Sequence, residues 1–291
     1  MNKETKGMLI GGIGIFIFAL TVAITKIAVE TFSPSFIVYG RGALGGTVAL
    51  IYLLIRREPI PAVKHFKFIF IVGLMVIYAY PMLMTTGMTF GSSSHAAVIL
   101  GLMPLLTAVV GSLRTKEKPS LGFWVVAVLG SMVVIIYSLV TGAGEFSRLD
   151  ILLLFAAISA AIGYTEGALL SAVMDPKVVI SWVLVAFLPV SYIGTMTSFQ
   201  IDYLQANHLA WLCFSYLGLF SMYIGFFFWY EGLRIGGIAR VSQVQLIQPF
   251  IILLSSSLFL GDSLTMINLV FASLVISTVI LSRKMMIKRQ K

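Results

Sequence analysis

A few residues able to do polar chemistry stand inside stretches that are otherwise apolar. Glu166 lies in the run Gly163-Tyr164-Thr165-Glu166-Gly167. An ionisable group within a lipid-spanning segment costs roughly 2.5–3.5 kcal/mol on insertion scales and is a functional suspect by default. Glu166 is suited to bind a substrate amine or to carry a proton. The plainer alternative is a carboxylate near its helix end, paired with a loop Lys or Arg. Arg41 can hold a substrate carboxylate through two parallel N–H bonds; it can also snorkel to the interface or pair with a carboxylate such as Glu30. Lys26 stands in the last turn of its span, where snorkelling is expected.

Ser242, Gln245 and Pro249 recur at i, i+3 and i+7, with Gln248 beside them. They give one polar face to an apolar helix. Amides facing lipid would go unsatisfied, so this face should look into a bundle, where it lines a wet cavity or joins two helices. Pro249 frees a backbone carbonyl there. Tyr78, Tyr80 and Tyr223 lie deep enough in their spans to wall a cavity, offering apolar surface, a hydroxyl and cation–π contact. Tyr80-Pro81 predicts a kink. Trp229 and Tyr230 sit near the inner interface, where an aromatic belt is expected. His95 opens its span on the outer side, in a capping or interfacial place.

The elements that must position these residues follow from composition. The chain has 291 residues, of which 59% are hydrophobic and 11% charged, and its mean hydropathy is +1.02; soluble domains have about 25% charged residues. The apolar excess recurs in segments of roughly 20 residues, each able to cross a ~30 Å hydrocarbon layer. The expected spans are 8–28, 34–55, 68–87, 95–113, 121–141, 150–173, 178–199, 209–230, 239–260 and 264–282. All are helical, because lipid offers no partner for backbone polar groups. The fold class expected is therefore an all-α integral membrane protein of ten transmembrane helices. The first apolar run is too long for a cleaved signal peptide. Cys213 is the one cysteine, so neither a disulfide framework nor a cysteine metal site is expected.

A net charge of +9 would suggest nucleic acid in a soluble protein. Here the basic residues sit in alternate short loops and the tail: 17 of the 20 fall on one side, the side of both termini. The positive-inside rule puts that side in the cytoplasm and the chain in the cell membrane.

The chain also repeats. At an offset of 145 residues Gly87 matches Gly232, Gly91 matches Gly236, Pro104 matches Pro249, and Glu117 matches Asp262. Two halves, 1–145 and 146–291, of five spans each are expected. Because five is odd, the second half inserts upside down. The small-xxx-small pairs Gly42/Gly46, Gly87/Gly91, Gly163/Gly167 and Gly232/Gly236 are read as close helix contacts, with Gly87, Gly232, Pro104 and Pro249 as conformational positions.

The run Gly236-Gly237-Ile238-Ala239-Arg240-Val241-Ser242-Gln243-Val244-Gln245, then Gln248-Pro249-Phe250 and Leu260-Gly261-Asp262, resembles the EamA-type transporters of the drug/metabolite transporter superfamily. Ala96-Ala97, Pro104 and Glu117-Lys118-Pro119-Ser120 in the first half, with Lys26 and Arg41, fit the same pattern. Asp262 stands where that family has Glu, and Lys118 where it has Arg. The resemblance implies ten helices with both ends inside and export of amino acids or related amphipathic solutes by alternating access. An importer of an amine or other organic cation is the alternative, and a non-transporting scaffold a further one. The implied partners are a small-molecule substrate and the lipid bilayer, with no nucleic acid; a homodimer is an option. There is no P-loop, zinc spacing or nucleophile elbow, so neither an enzyme nor a cofactor is expected, though proton coupling is open.

Overall fold

Helix starts are written locally. Asn2 accepts the N–H of Glu4 and begins α1 (Lys3–Ala28); Ser33 accepts from Phe36 and, with Pro34, begins α2 (Pro34–Arg56). These side chains satisfy donors that have no partner inside the first turn. Then come α3 (Val63–Gly73), a π-helical turn (Leu74–Ala79), α4 (Tyr80–Phe90), α5 (Ser93–Arg114), a short strand β1 (Glu117–Pro119), and α6 (Leu121–Val140). The second half runs α7 (Arg148–Leu170), α8 (Pro176–Ala186), α9 (Leu188–Ser198), a 3₁₀ turn (Ile201–Gln205), α10 (His208–Tyr216), a second π turn (Leu217–Ile224) and α11 (Gly225–Gly236). It closes with α12 (Ile238–Ser242), a 3₁₀ turn (Gln243–Ile247), α13 (Gln248–Leu260), α14 (Met266–Lys284) and β2 (Ile287–Arg289). This computed structural model describes residues 2–90, 93–115, 117–140, 148–260 and 265–289, with the side chains of 87–90, 93–101, 138, 148–150, 256, 259–260 and 288–289 outside the description.

Among the described residues seven helices are long and apolar enough to cross a membrane, and the bent pair α8–α9 makes up to eight. Apolar side chains such as Leu54, Met196 and Leu212 cover the outside, as lipid contact requires. The chain is a multi-pass membrane protein.

Several expected spans are broken where the backbone loses a donor. The seventh, expected straight over 178–199, bends by 53° between α8 and α9. Pro189 has no N–H to return to the Val185 carbonyl, and the carbonyl of Phe187, which accepts the Ser191 N–H at 3.0 Å, also accepts from the Tyr78 hydroxyl at 3.3 Å. The ninth, expected straight over 239–260, is α12, a 3₁₀ turn and α13, with Pro249 second in α13. Tyr80-Pro81 does follow a change of winding, but the distortion is a π turn rather than a simple kink. One addition to the all-helical expectation is β1 paired antiparallel with β2, Lys118 opposite Lys288; it ties the α5–α6 connection to the C-terminal tail.

Packing crosses the halves throughout. α1 lies along α11 and also on α13; α7 lies along α3 and α4 and also on α5; α2 packs on α8 and α9, α5 on α12, and α6 on α14. Glycine sets the closest of these contacts. Gly232 lies so near α1 that a Cβ there would be 2.6 Å from the Gly11 backbone and 2.8 Å from the Gly7 carbonyl. Such backbone approach is open only to small residues. Trp229 and Tyr230 are fully buried in the core rather than at an interface; the groove left by Gly11 on α1 takes the Trp229 ring, and that left by Gly167 on α7 takes the Tyr230 ring.

Candidate functional site

Between the two halves lies a cavity of about 70 Å³. That is room for a few waters at roughly 10–15 Å³ each. It is walled by Phe18, Thr21 and Thr25 of α1, Arg41 of α2, Tyr80, Met84 and Thr85 of α4, and Tyr164 of α7; Ser221 of the second π turn, Phe226 of α11 and Gln248 of α13 complete it. α1 gives it only the half remote from the N-terminus. Nearer the N-terminus α1 and α11 meet backbone to backbone at Gly7 and Gly236.

Arg41 is the cavity's cation. At 1.5 Å per residue it stands about 10 Å into α2. Its Nη2 faces Met222 Sδ at 4.0 Å, a weak acceptor. Its Nε is buried with no hydrogen-bond partner among the described residues. It does not reach Glu30. Tyr164 is held flat against Phe18, ring centroids 6.5 Å apart and 3° from parallel, and edge-on to Trp229.

The expected site residues divide. Arg41, Tyr80 and Gln248 come together in the cavity. Tyr78 donates to or accepts from Ser191 at 2.7 Å, and Tyr223 does the same with Ser181 at 2.7 Å. Both hydroxyls thus pin the broken α8–α9 span rather than wall the cavity. Ser242 turns back on its own helix, to the Ala239 carbonyl at 3.0 Å. Gln245 is buried with both amide atoms unpartnered among the described residues, as is Gln243. Glu166 faces away from the cavity and holds Arg114 bidentately, Nε to Oε1 at 2.5 Å and Nη2 to Oε2 at 3.0 Å. Of the structural positions, Pro104 is buried inside α5, Pro249 is buried at the start of α13, and Gly232 makes the close approach to α1. Gly87 lies in α4; Gly91 and Asp262 lie outside the described residues, as does the side chain of His95.

Sequence reasoning passed over Tyr164 and Ser221. Tyr164 sits two residues from Glu166, about 200° around the helix, so only one of the pair can face the cavity. Ser221 and Val76 line the cavity from the two π turns, and their numbers differ by the same 145 residues as the sequence repeat. That offset was available in the sequence.

Comparison with known proteins agrees with this architecture. The EamA-like transporter family matches residues 5–139 and again residues 147–283. A protein of Bacillus subtilis strain 168, described as uncharacterized transporter YdeK, is 39% identical over 266 residues, covering 90% of this chain and 91% of that one. An uncharacterized transporter of Archaeoglobus fulgidus is 23% identical over 266 residues, covering 89% and 92%. One solved structure, described only as the crystal structure of a protein, superposes with a TM-score of 0.77 over 96% of this chain and 98% of that chain; at 16% identity it speaks to the fold alone. The repeated match across nearly the whole length establishes that the chain belongs to the EamA-like transporter family.

Proposed function

We propose that the chain works by alternating access as a secondary transporter of small amphipathic metabolites, amino acids and related solutes, moving them outward. On this reading its ten apolar spans form two inverted five-helix halves, 1–145 and 146–291, with both termini on the cytoplasmic side of the cell membrane. One observation carries it. The cavity is walled from both halves, while α1 and α11 meet backbone to backbone at the end of the termini, which we read as the closed side. A central cavity shut on one side is what one state of such a cycle requires, with sites near mid-membrane between the repeats.

The packing pattern supports the inverted arrangement. Exchanging the halves turns the α1–α11 pair into α7 against α4, the α1–α10 pair into α7 against α3, and the α1–α13 pair into α7 against α5; all of these pairs are present. The π turns fall at matching places, Tyr78 and Tyr223 being 145 residues apart. The importer of an amine finds less support, because the described lining of the cavity holds Arg41 and no carboxylate.

Purified protein in liposomes, with and without a pH gradient, should move at least one radiolabelled amino acid down its gradient. Absence of flux for amino acids, their amides and simple amines would overturn the transport reading. A scaffold would give that silent result.

A further inference from the structure

We infer that Arg41 is the receptor for a single carboxylate, so that the transported solute is a small monocarboxylate with an apolar stem, and that its amine, where it has one, is optional. This rests on the transport reading above and gives that site its substrate class.

The charge of Arg41 has no counter-ion in the described cavity. Glu166 is engaged by Arg114, and no Asp or Glu among the described residues lines the cavity. A guanidinium offers five N–H donors in a planar fork. Here the contact found for it is a thioether sulfur, and Nε is buried without a partner among the described residues. Removing a cation from water without an anion is costly, so a protein retains such a group where a ligand supplies the missing charge. The fork matches a carboxylate's two oxygens. One guanidinium balances one negative charge, which favours a carboxylate over a doubly charged phosphate.

The rest of the wall specifies the stem. Phe18, Met84 and Phe226 present apolar surface, suited to a short aliphatic chain. Tyr80, Tyr164, Ser221 and Gln248 bring neutral oxygens. These can accept from an ammonium, but none carries the charge that would make an ammonium necessary.

The test uses the purified full chain and matched compounds stepped one group at a time from the amino acid: propionate, L-alanine, L-alaninamide and ethylamine, and the leucine-sized set 4-methylpentanoate, L-leucine, L-leucinamide and 3-methylbutylamine. Ligand-dependent melting shifts give the affinities. At least one set should bind its acid and its amino acid alike, and at least about tenfold more tightly than its amide or amine. Arg41→Gln should erase that preference, and Arg41→Lys, which keeps the charge without the fork, should retain part of it. An amide or amine binding as tightly as the acid would overturn the assignment. So would an acid preference that survives Arg41→Gln, tighter binding of ethylphosphonate than of propionate, or no shift from any acid in either set. Each of these leaves the transport reading standing if liposome flux is seen.

Discussion

Arg41 and Arg240 are the same residue in the same bundle, in opposite electrostatic company. Arg240 is buried in α12 near the end where the termini meet. Its Nε lies 3.2 Å from a Glu4 carboxylate oxygen, Nη2 donates to the Met285 carbonyl at 2.5 Å, and Nη1 donates to the Ser282 carbonyl. It ties α1, α12 and the end of α14 into one knot. Glu117 adds to the closure by accepting the Ala239 N–H at 3.0 Å. Arg41 stands in the cavity with no carboxylate among the described residues beside it. Where a cation meets a carboxylate and backbone carbonyls it ties helices together; where no described carboxylate faces it, its value lies in what it will bind.

The contrast predicts opposite consequences for the two substitutions. Arg240→Met should give the largest loss of stability, about 3–5 kcal/mol as for breaking one side of a buried pair, read as a lowered melting temperature in detergent. Equal stability would show that the knot contributes little. Arg41→Gln should leave the melting temperature unchanged or raise it, since an uncompensated cation is removed, while solute affinity falls by roughly a hundredfold, about 2.7 kcal/mol. A clear loss of stability would mean that Arg41 is structural. Tyr80→Phe removes one neutral hydroxyl from the cavity and should cost affinity about 1 kcal/mol, within the usual net worth of a hydrogen bond. Glu166→Gln should matter least. Its partner Arg114 is 46% exposed, so the pair is worth at most about 1 kcal/mol, and solute affinity should hold. A large affinity loss there would bring Glu166 back to the site.

What could be read from sequence followed the physics each feature depends on. Hydropathy marks the spans because lipid imposes length and composition on each one separately. Arg41 is legible for the same reason: a charge in an apolar stretch is rare whatever surrounds it. For Glu166 the pairing with a Lys or Arg was one of two readings, but the choice between them and the partner were not legible, because Arg114 is 52 residues away and only packing of α5 on α7 brings them together. Gln245 was read correctly as facing inward, but the 3₁₀ turn at Gln243–Ile247 rotates the stripe so that Gln248 alone of its polar side chains lines the cavity. The bend at Phe187 and the β1–β2 pair depend on contacts with distant chain, which local pattern does not carry.

The field at the cavity can be measured without knowing the solute. Cys213 is the chain's one cysteine, so a Cys213→Ala background carrying Ser221→Cys places a single thiol in the wall that Arg41 shares. Its rates of reaction with anionic sulfonatoethyl and cationic trimethylammonioethyl methanethiosulfonate would then be compared. Labelling by the anionic reagent should be the faster, with the advantage falling by about tenfold when Arg41→Gln is added. Equal rates for the two reagents, or an anionic preference untouched by Arg41→Gln, would contradict it.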